Sequence, residues 1–219
     1  MFILLGVLFI AGSTLRLETV LTLSNFFLIP ILLLYYRCRT RKLFRPITLA
    51  LLLFYIKDVF LNYGLQDHFL IIWISFLLAM FLLFLCLITG FERSRVHPLE
   101  IVSFLIMYAF LGFLFISLSV VVPEAMPGRE FSVYLYLLLL MFLLAGSFTS
   151  YLLKSHMASL WFLVATSALL VSEVSLFFKV FIIEDFSVNF FFPFFHVLAY
   201  YGLVEYGLRR RRVGKWKYF

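Results

Sequence analysis

Charge is scarce in this sequence. Only 13% of its 219 residues are charged, against 65% hydrophobic, and the mean hydropathy is +1.11. Soluble domains carry about 25% charged and about 45–50% apolar residues. A water-soluble core cannot hide so much apolar surface, so the solvent for most of the chain is lipid. Cysteine is scarcer still. Cys38 lies in a basic stretch and Cys86 in an apolar run, with no C-x-x-C and no Cys/His ligand spacing. His68, His97, His156 and His196 are scattered, without an H-E-x-x-H pattern, so no metal or other cofactor is expected. No Lys or Arg precedes the first apolar run, "MFILLGVLFIAGS", which therefore reads as a retained helix rather than a cleaved signal.

What is abundant is long apolar runs. A bilayer core of about 30 Å takes about 20 helical residues per crossing. Eight runs are legible, approximately 2–17, 19–36, 44–63, 69–90, 98–122, 131–153, 158–183 and 189–208. The first is the shortest, with Arg16 and Glu18 crowding its end, so seven spans are the alternative count. The thirty Phe and twelve Tyr read as lipid-facing and packing residues rather than a recognition surface. The expectation is an all-α polytopic bundle, residues 1–208, followed by a basic tail, 209–219. Short breaks make sequential helices antiparallel neighbours. Pro98, the segment "PEAMPGRE", Gly64 and Gly90 mark run ends.

Charge placement orients the chain. Every basic residue except Arg16, Lys57, Arg129 and Lys179 falls in the second, fourth and sixth breaks or in the tail. The odd breaks carry Glu18, Asp67, Glu124, Glu130, Glu184 and Asp185. With eight spans the basic segments share one side, so both termini are expected in the cytoplasm of a multi-pass protein, in the plasma or inner membrane if the source is bacterial. The net charge of +7 is thereby an orientation signal, and nucleic acid is not an expected partner. The tail could also touch anionic lipid.

A few ionisable residues remain inside runs: Lys57 and Asp58 in the third, Glu173 and Lys179 in the seventh, His196 and Glu205 in the eighth. A charge at mid-bilayer costs roughly 2.5–3.5 kcal/mol on insertion scales, so such groups face the bundle interior, pair, or line a polar cavity. Lys179 and Glu205 lie near run ends and can snorkel. Lys57, Asp58, Glu173 and His196 lie at compatible depth. Asn62 and Tyr200, each one turn from one of them, add hydrogen-bonding capacity. Lys57 and Asp58 sit about 100° apart around a helix and do not naturally face one another. Two readings follow: a structural polar cluster that pins helices, or an Asp58–Glu173 carboxylate pair in a dry pocket.

Three blocks carry a family likeness. "FLIPILLLYYRCRTRKLFRPITLALLLFYIKDVFLNYG", "ALLVSEVSLFFKVF" and "HVLAYYGLVEYGL" resemble the second and third, seventh and closing helices of the YhhN-like, lysoplasmalogenase-related membrane family. Asp58 matches the first family aspartate. Glu173 stands for the second, Lys57 for a Gly, Asn25-Phe26 for Lys-Pro, Met80 for a His, and Glu205 for a Gln. The resemblance implies eight spans and hydrolysis of a lysoplasmalogen vinyl ether, with Asp58 and Glu173 as catalytic residues. Lys57, Asn62, His196 and Tyr200 would line the substrate pocket, and membrane lipids would be the partners. Protonation of the alkene carbon gives an oxocarbenium-like cation, so one carboxyl acts as acid while the other stabilises the cation and activates water. Lys57 beside Asp58 would keep Asp58 ionised. That leaves Glu173, farther from a cation, as the acid. Two alternatives stay open: a catalytically degenerate relative serving as a membrane subunit or scaffold with protein partners, and a small proton-coupled transporter. No internal repeat favours the latter.

Overall fold

The computed structural model describes residues 1–40, 43–89, 98–183 and 185–210. Arg41, Lys42, Arg93, Arg95, Glu184 and the tail from Arg211, with its Lys215 and Lys217, lie outside the described residues. Among the described residues all regular structure is helical: α1 (Phe2–Thr14), α2 (Glu18–Arg39), α3 (Arg45–Tyr63), α4 (Phe69–Ile88), α5 (Pro98–Ser119), α6 (Val122–Ala125), α7 (Glu130–Lys154), α8 (Met157–Phe181) and α9 (Phe186–Arg210).

Seven of these, α2 to α5 and α7 to α9, are long and apolar enough to cross a membrane. This is a multi-pass helical membrane protein by length and composition. α1 differs from the expected 16-residue run. It has 13 residues, about 20 Å at 1.5 Å per residue, and stops short of a full bilayer core. Its end is set by a tight reversal in which Arg16 adopts φ 56° and the Leu17 N–H donates to the Gly12 carbonyl at 2.8 Å. α9 in turn runs longer than expected and carries Arg209 and Arg210 as helix rather than tail.

Local chemistry sets most boundaries. Pro46 opens α3, where its missing N–H costs nothing, and Gly64 at φ 125° closes it. Ser155 in the left-handed region separates α7 from α8. α6 fills part of the fifth break, with Pro123 in its first turn.

The long helices pack in a closed circuit: α1 against α2, then α3, α4, α7, α8 and α9, which returns to α1. α9 also touches α2 and α3, so it leans into the interior. α8 and α9 form the most intimate pair, and α5 sits outside the circuit against α7. The outward faces of α5, including Leu105, Phe110, Phe113 and Ile116, are exposed as befits a lipid-facing helix. The core is continuous from Phe9 and Leu28 through Phe54, Phe76 and Met80 to Tyr200 and Tyr206.

Two polar clasps close the bundle ends. Arg210 donates to the Cys86 carbonyl at 2.5 Å and to Thr89 Oγ1 at 3.0 Å, satisfying the carbonyl end of α4. Glu205 is also buried here and takes bonds from Arg209 and Tyr201. At the other end Lys179 donates to Ser13 Oγ at 3.0 Å, tying α8 to α1 rather than reaching outward alone.

Candidate functional site

Four helices place one polar cluster inside the circuit. α3 supplies Lys57 and Asp58, α7 Tyr136, α8 Ser172 and Glu173, and α9 His196 and Tyr200. Lys57, Asp58, Glu173, His196 and Tyr200 are each at most 3% exposed.

Lys57 is the hub. Its Nζ lies 2.5 Å from Glu173 Oε1 and 3.3 Å from Asp58 Oδ1. Its flexible four-carbon stem curls back over its neighbour, so the 100° offset on the helix does not keep the pair apart. One ammonium therefore bridges both carboxylates. This overturns the expectation that Glu173 lies far from a cation, because Glu173 is the nearer of the two acids to Lys57.

Each carboxylate has further support. Tyr200 donates to Asp58 Oδ2 at 2.6 Å, and His196 Nε2 faces the same oxygen at 3.0 Å. Tyr136 donates to Glu173 Oε2, and its ring stacks on Phe76. Ser172 Oγ lies 3.2 Å from both His196 Nδ1 and the Phe192 carbonyl. An ionised Asp58 only accepts, so Nε2 carries a proton in that state. The single Ser172 hydrogen can be given to Nδ1 or to the Phe192 carbonyl, and not to both.

A cavity of about 100 Å³ opens onto one side of this cluster. Lys57, Tyr136 and Glu173 form its polar floor. Leu61, Leu65, Phe69, Ile72 and Trp73 wall it on one side, and Val133, Leu176, Phe177, Val180 and Phe181 on the other. These residues belong to the end of α3, the start of α4, the start of α7 and the end of α8, so the cavity lies toward the α3–α4 end of the bundle. Trp73 Nε1 donates to the Ser132 carbonyl at 3.3 Å, joining two walls near the rim. Arg129 lies over the Phe69 ring, 4.4 Å from its centroid.

The structure brings together five of the six residues singled out in the sequence. Asn62 is the exception: one turn beyond Asp58, near the end of α3, it is exposed. Asp58, His196 and Tyr200 stand behind Lys57 and do not line the cavity. Tyr136 and Ser172 were not anticipated. Tyr136 has no charged neighbour in sequence to mark it among the many tyrosines, and Ser172 was visible only as the residue preceding Glu173. Among the described residues no group of three or more His, Cys, Asp and Glu side chains is disposed to hold a metal ion.

Neither family models, curated proteins nor solved structures yield a match to this chain.

Proposed function

We propose that this chain is a membrane-embedded hydrolase of lipid ether bonds, of lysoplasmalogenase type. The observation that carries the reading is the placement of a carboxylate at the floor of an apolar cavity. Glu173 lies there, beside an ammonium and a phenol. The motif likeness around Asp58 and Glu173 supplies the reaction. The lipid chain lies among Leu61, Phe69, Phe177 and Phe181, with the vinyl ether next to Glu173.

Glu173 carries to the alkene carbon a proton it has drawn beforehand from Lys57, 2.5 Å away, and is left deprotonated. This role rests on a shared proton and not on isolation from cations. Asp58 supplies the compensating negative charge for the oxocarbenium-like cation, held in place by Tyr200 and His196. Glu173, once deprotonated, takes a proton from the attacking water. The hemiacetal that forms collapses to an aldehyde and a glycerophospho-alcohol.

The finer topology belongs to the same proposal. α1 is the eighth crossing, made across a bilayer thinned at its position. Both termini and the basic segments face the cytoplasm, membrane lipids are the partners, and the cavity lies toward the opposite face.

The test is aldehyde release from a lysoplasmalogen by purified protein in detergent. Glu173→Gln is expected to lower the rate by about 100-fold or more, as loss of a general acid does. No release by well-folded protein, or unchanged rates in both Glu173→Gln and Asp58→Asn, would sink the reading.

A second reading is favoured by the completeness of the cluster. Lys57, Asp58, Glu173 and His196 satisfy one another, as a structural pin in a non-catalytic membrane subunit would require. Copurification of stoichiometric membrane-protein partners, together with wild-type behaviour of both neutralised variants, supports it.

A further inference from the structure

The hydrolytic reading uses Lys57 only as a proton source, yet a lysine at the floor of an apolar cavity has chemistry of its own. The geometry points to Lys57 as a covalent capture site for apolar aldehydes, through a Schiff base with its Nζ. The inference does not depend on ether cleavage, since a free aldehyde entering from the bilayer is sufficient.

Three observations carry it. Lys57 lines the cavity, and the walls above it are almost wholly Leu, Ile, Val, Phe and Trp. The wall along α8 runs from Glu173 to Phe181, about 12 Å at 1.5 Å per residue, which suits an extended hydrocarbon tail. A carboxylate lies 2.5 Å from Nζ on Glu173, and a second lies 3.3 Å away on Asp58.

The amine must lose a proton before it attacks, and Glu173 Oε1 is placed to take it. Nζ then adds to the carbonyl carbon and the C=O π bond breaks to a carbinolamine. Glu173 returns its proton to the departing hydroxyl, which leaves as water, and a C=N bond forms. The balance is R–CHO plus the Lys57 ammonium giving a protonated imine and one water, with no change of oxidation state. The iminium carries the same single positive charge as the ammonium it replaces. Asp58 and Glu173 therefore remain its counter-ions, and the buried charge balance is unaltered. Dry apolar walls disfavour the return of water, so the imine persists longer than one on an exposed lysine.

The experiment treats the full chain in detergent with stoichiometric hexadecanal and cyanoborohydride, which fixes an imine as a secondary amine. Peptide mapping then locates the adduct. The expected result is an adduct on Lys57 in excess over Lys42, Lys154, Lys179, Lys215 and Lys217. It is lost in Lys57→Arg and in Leu176→Trp, which fills the cavity while keeping the amine. Propionaldehyde at the same concentration is expected to label Lys57 far less. Adducts only on other lysines, equal labelling of Lys57 by the short aldehyde, or full labelling in a monodisperse Leu176→Trp protein would each overturn the proposal. Should Lys57→Arg fail to fold, the wild-type map and the Leu176→Trp arm decide it. A protein that cleaves no ether can still pass this test, and one that cleaves ethers can still fail it.

Discussion

At the scale of single residues, the cluster around Lys57 is a balance between two large opposing costs. Each buried ion forfeits several kcal/mol of solvation, and only close, well-directed partners return it. Removing the bridging cation leaves Asp58 and Glu173 as like charges within a few ångströms. Lys57→Met is therefore expected to destabilise the protein by about 3–5 kcal/mol, read as a large fall in the thermal midpoint in detergent. Lys57→Met combined with Glu173→Gln is expected to recover a good part of that loss, because the second change removes one uncompensated charge. If the double variant is as unstable as the sum of the singles, the bridge is not what holds these groups. The ionisable members of this cluster were legible in the sequence, since a charge in an apolar run must have a reason. Their pairing was not, because a lysine stem can reach back as readily as across. Asn62 was over-read for the converse reason: being one turn from Asp58 puts a side chain near it along the helix but does not aim it inward.

At the scale of elements, the site depends on how closely α8 approaches α9, since Glu173 and Ser172 ride on one and His196 and Tyr200 on the other. Gly202 makes that approach possible. A Cβ there would lie 2.9 Å from Ala165 Cβ and 3.1 Å from Ala165 Cα, a clash with backbone that no rotamer relieves. In lipid no hydrophobic force draws helices together, so close packing of small residues carries the association. Gly202→Leu is expected to cost about 1–3 kcal/mol or more through overpacking, despite the better helix propensity of Leu. Gly112→Ala on α5, where a Cβ meets nothing within 4 Å, is the control and is expected to be neutral or mildly stabilising. Comparable thermal midpoints for the two variants would mean that the α8–α9 seam is looser than the structure has it. Arg210 offers a second test at this scale. Arg210→Gln unhooks the Cys86 carbonyl and is expected to cost about 1.5–3 kcal/mol, the range for a bond to a charged donor. Helix existence was readable from run length alone. The early stop of α1 was marked only by Arg16 and Glu18 crowding the run's end, because the reversal at Gly12–Leu17 is fixed by backbone bonds. The inclusion of Arg209 and Arg210 in α9 was hidden, since basic residues after an apolar run look like tail until their partners on α4 and α9 are seen.

At the scale of the whole molecule, the two cysteines offer a probe of orientation that needs no engineered residue. Cys38 is exposed, next to Arg37 and Arg39 at the end of α2. Cys86 is buried near the end of α4. Both helices end at the same face of the bundle, so the two thiols differ in access and not in side. In the proposed orientation, with the basic segments inside, that face is the cytoplasmic one. An impermeant maleimide is accordingly expected to label neither thiol in intact cells, Cys38 alone in inside-out vesicles, and both only after unfolding. Asp67→Cys in a Cys38→Ser background is expected to behave in the opposite sense, because Asp67 is exposed in the α3–α4 connection at the far face. A cysteine placed just ahead of α1 then settles the eighth crossing. If α1 crosses, that thiol labels with Cys38; if it only dips in beside α2, it labels with Asp67→Cys or not at all. Labelling of Cys38 from outside intact cells would invert the whole arrangement. It would put the mouth of the Glu173 cavity on the cytoplasmic face, and any lipid that reaches Lys57 would then have to come from the inner leaflet.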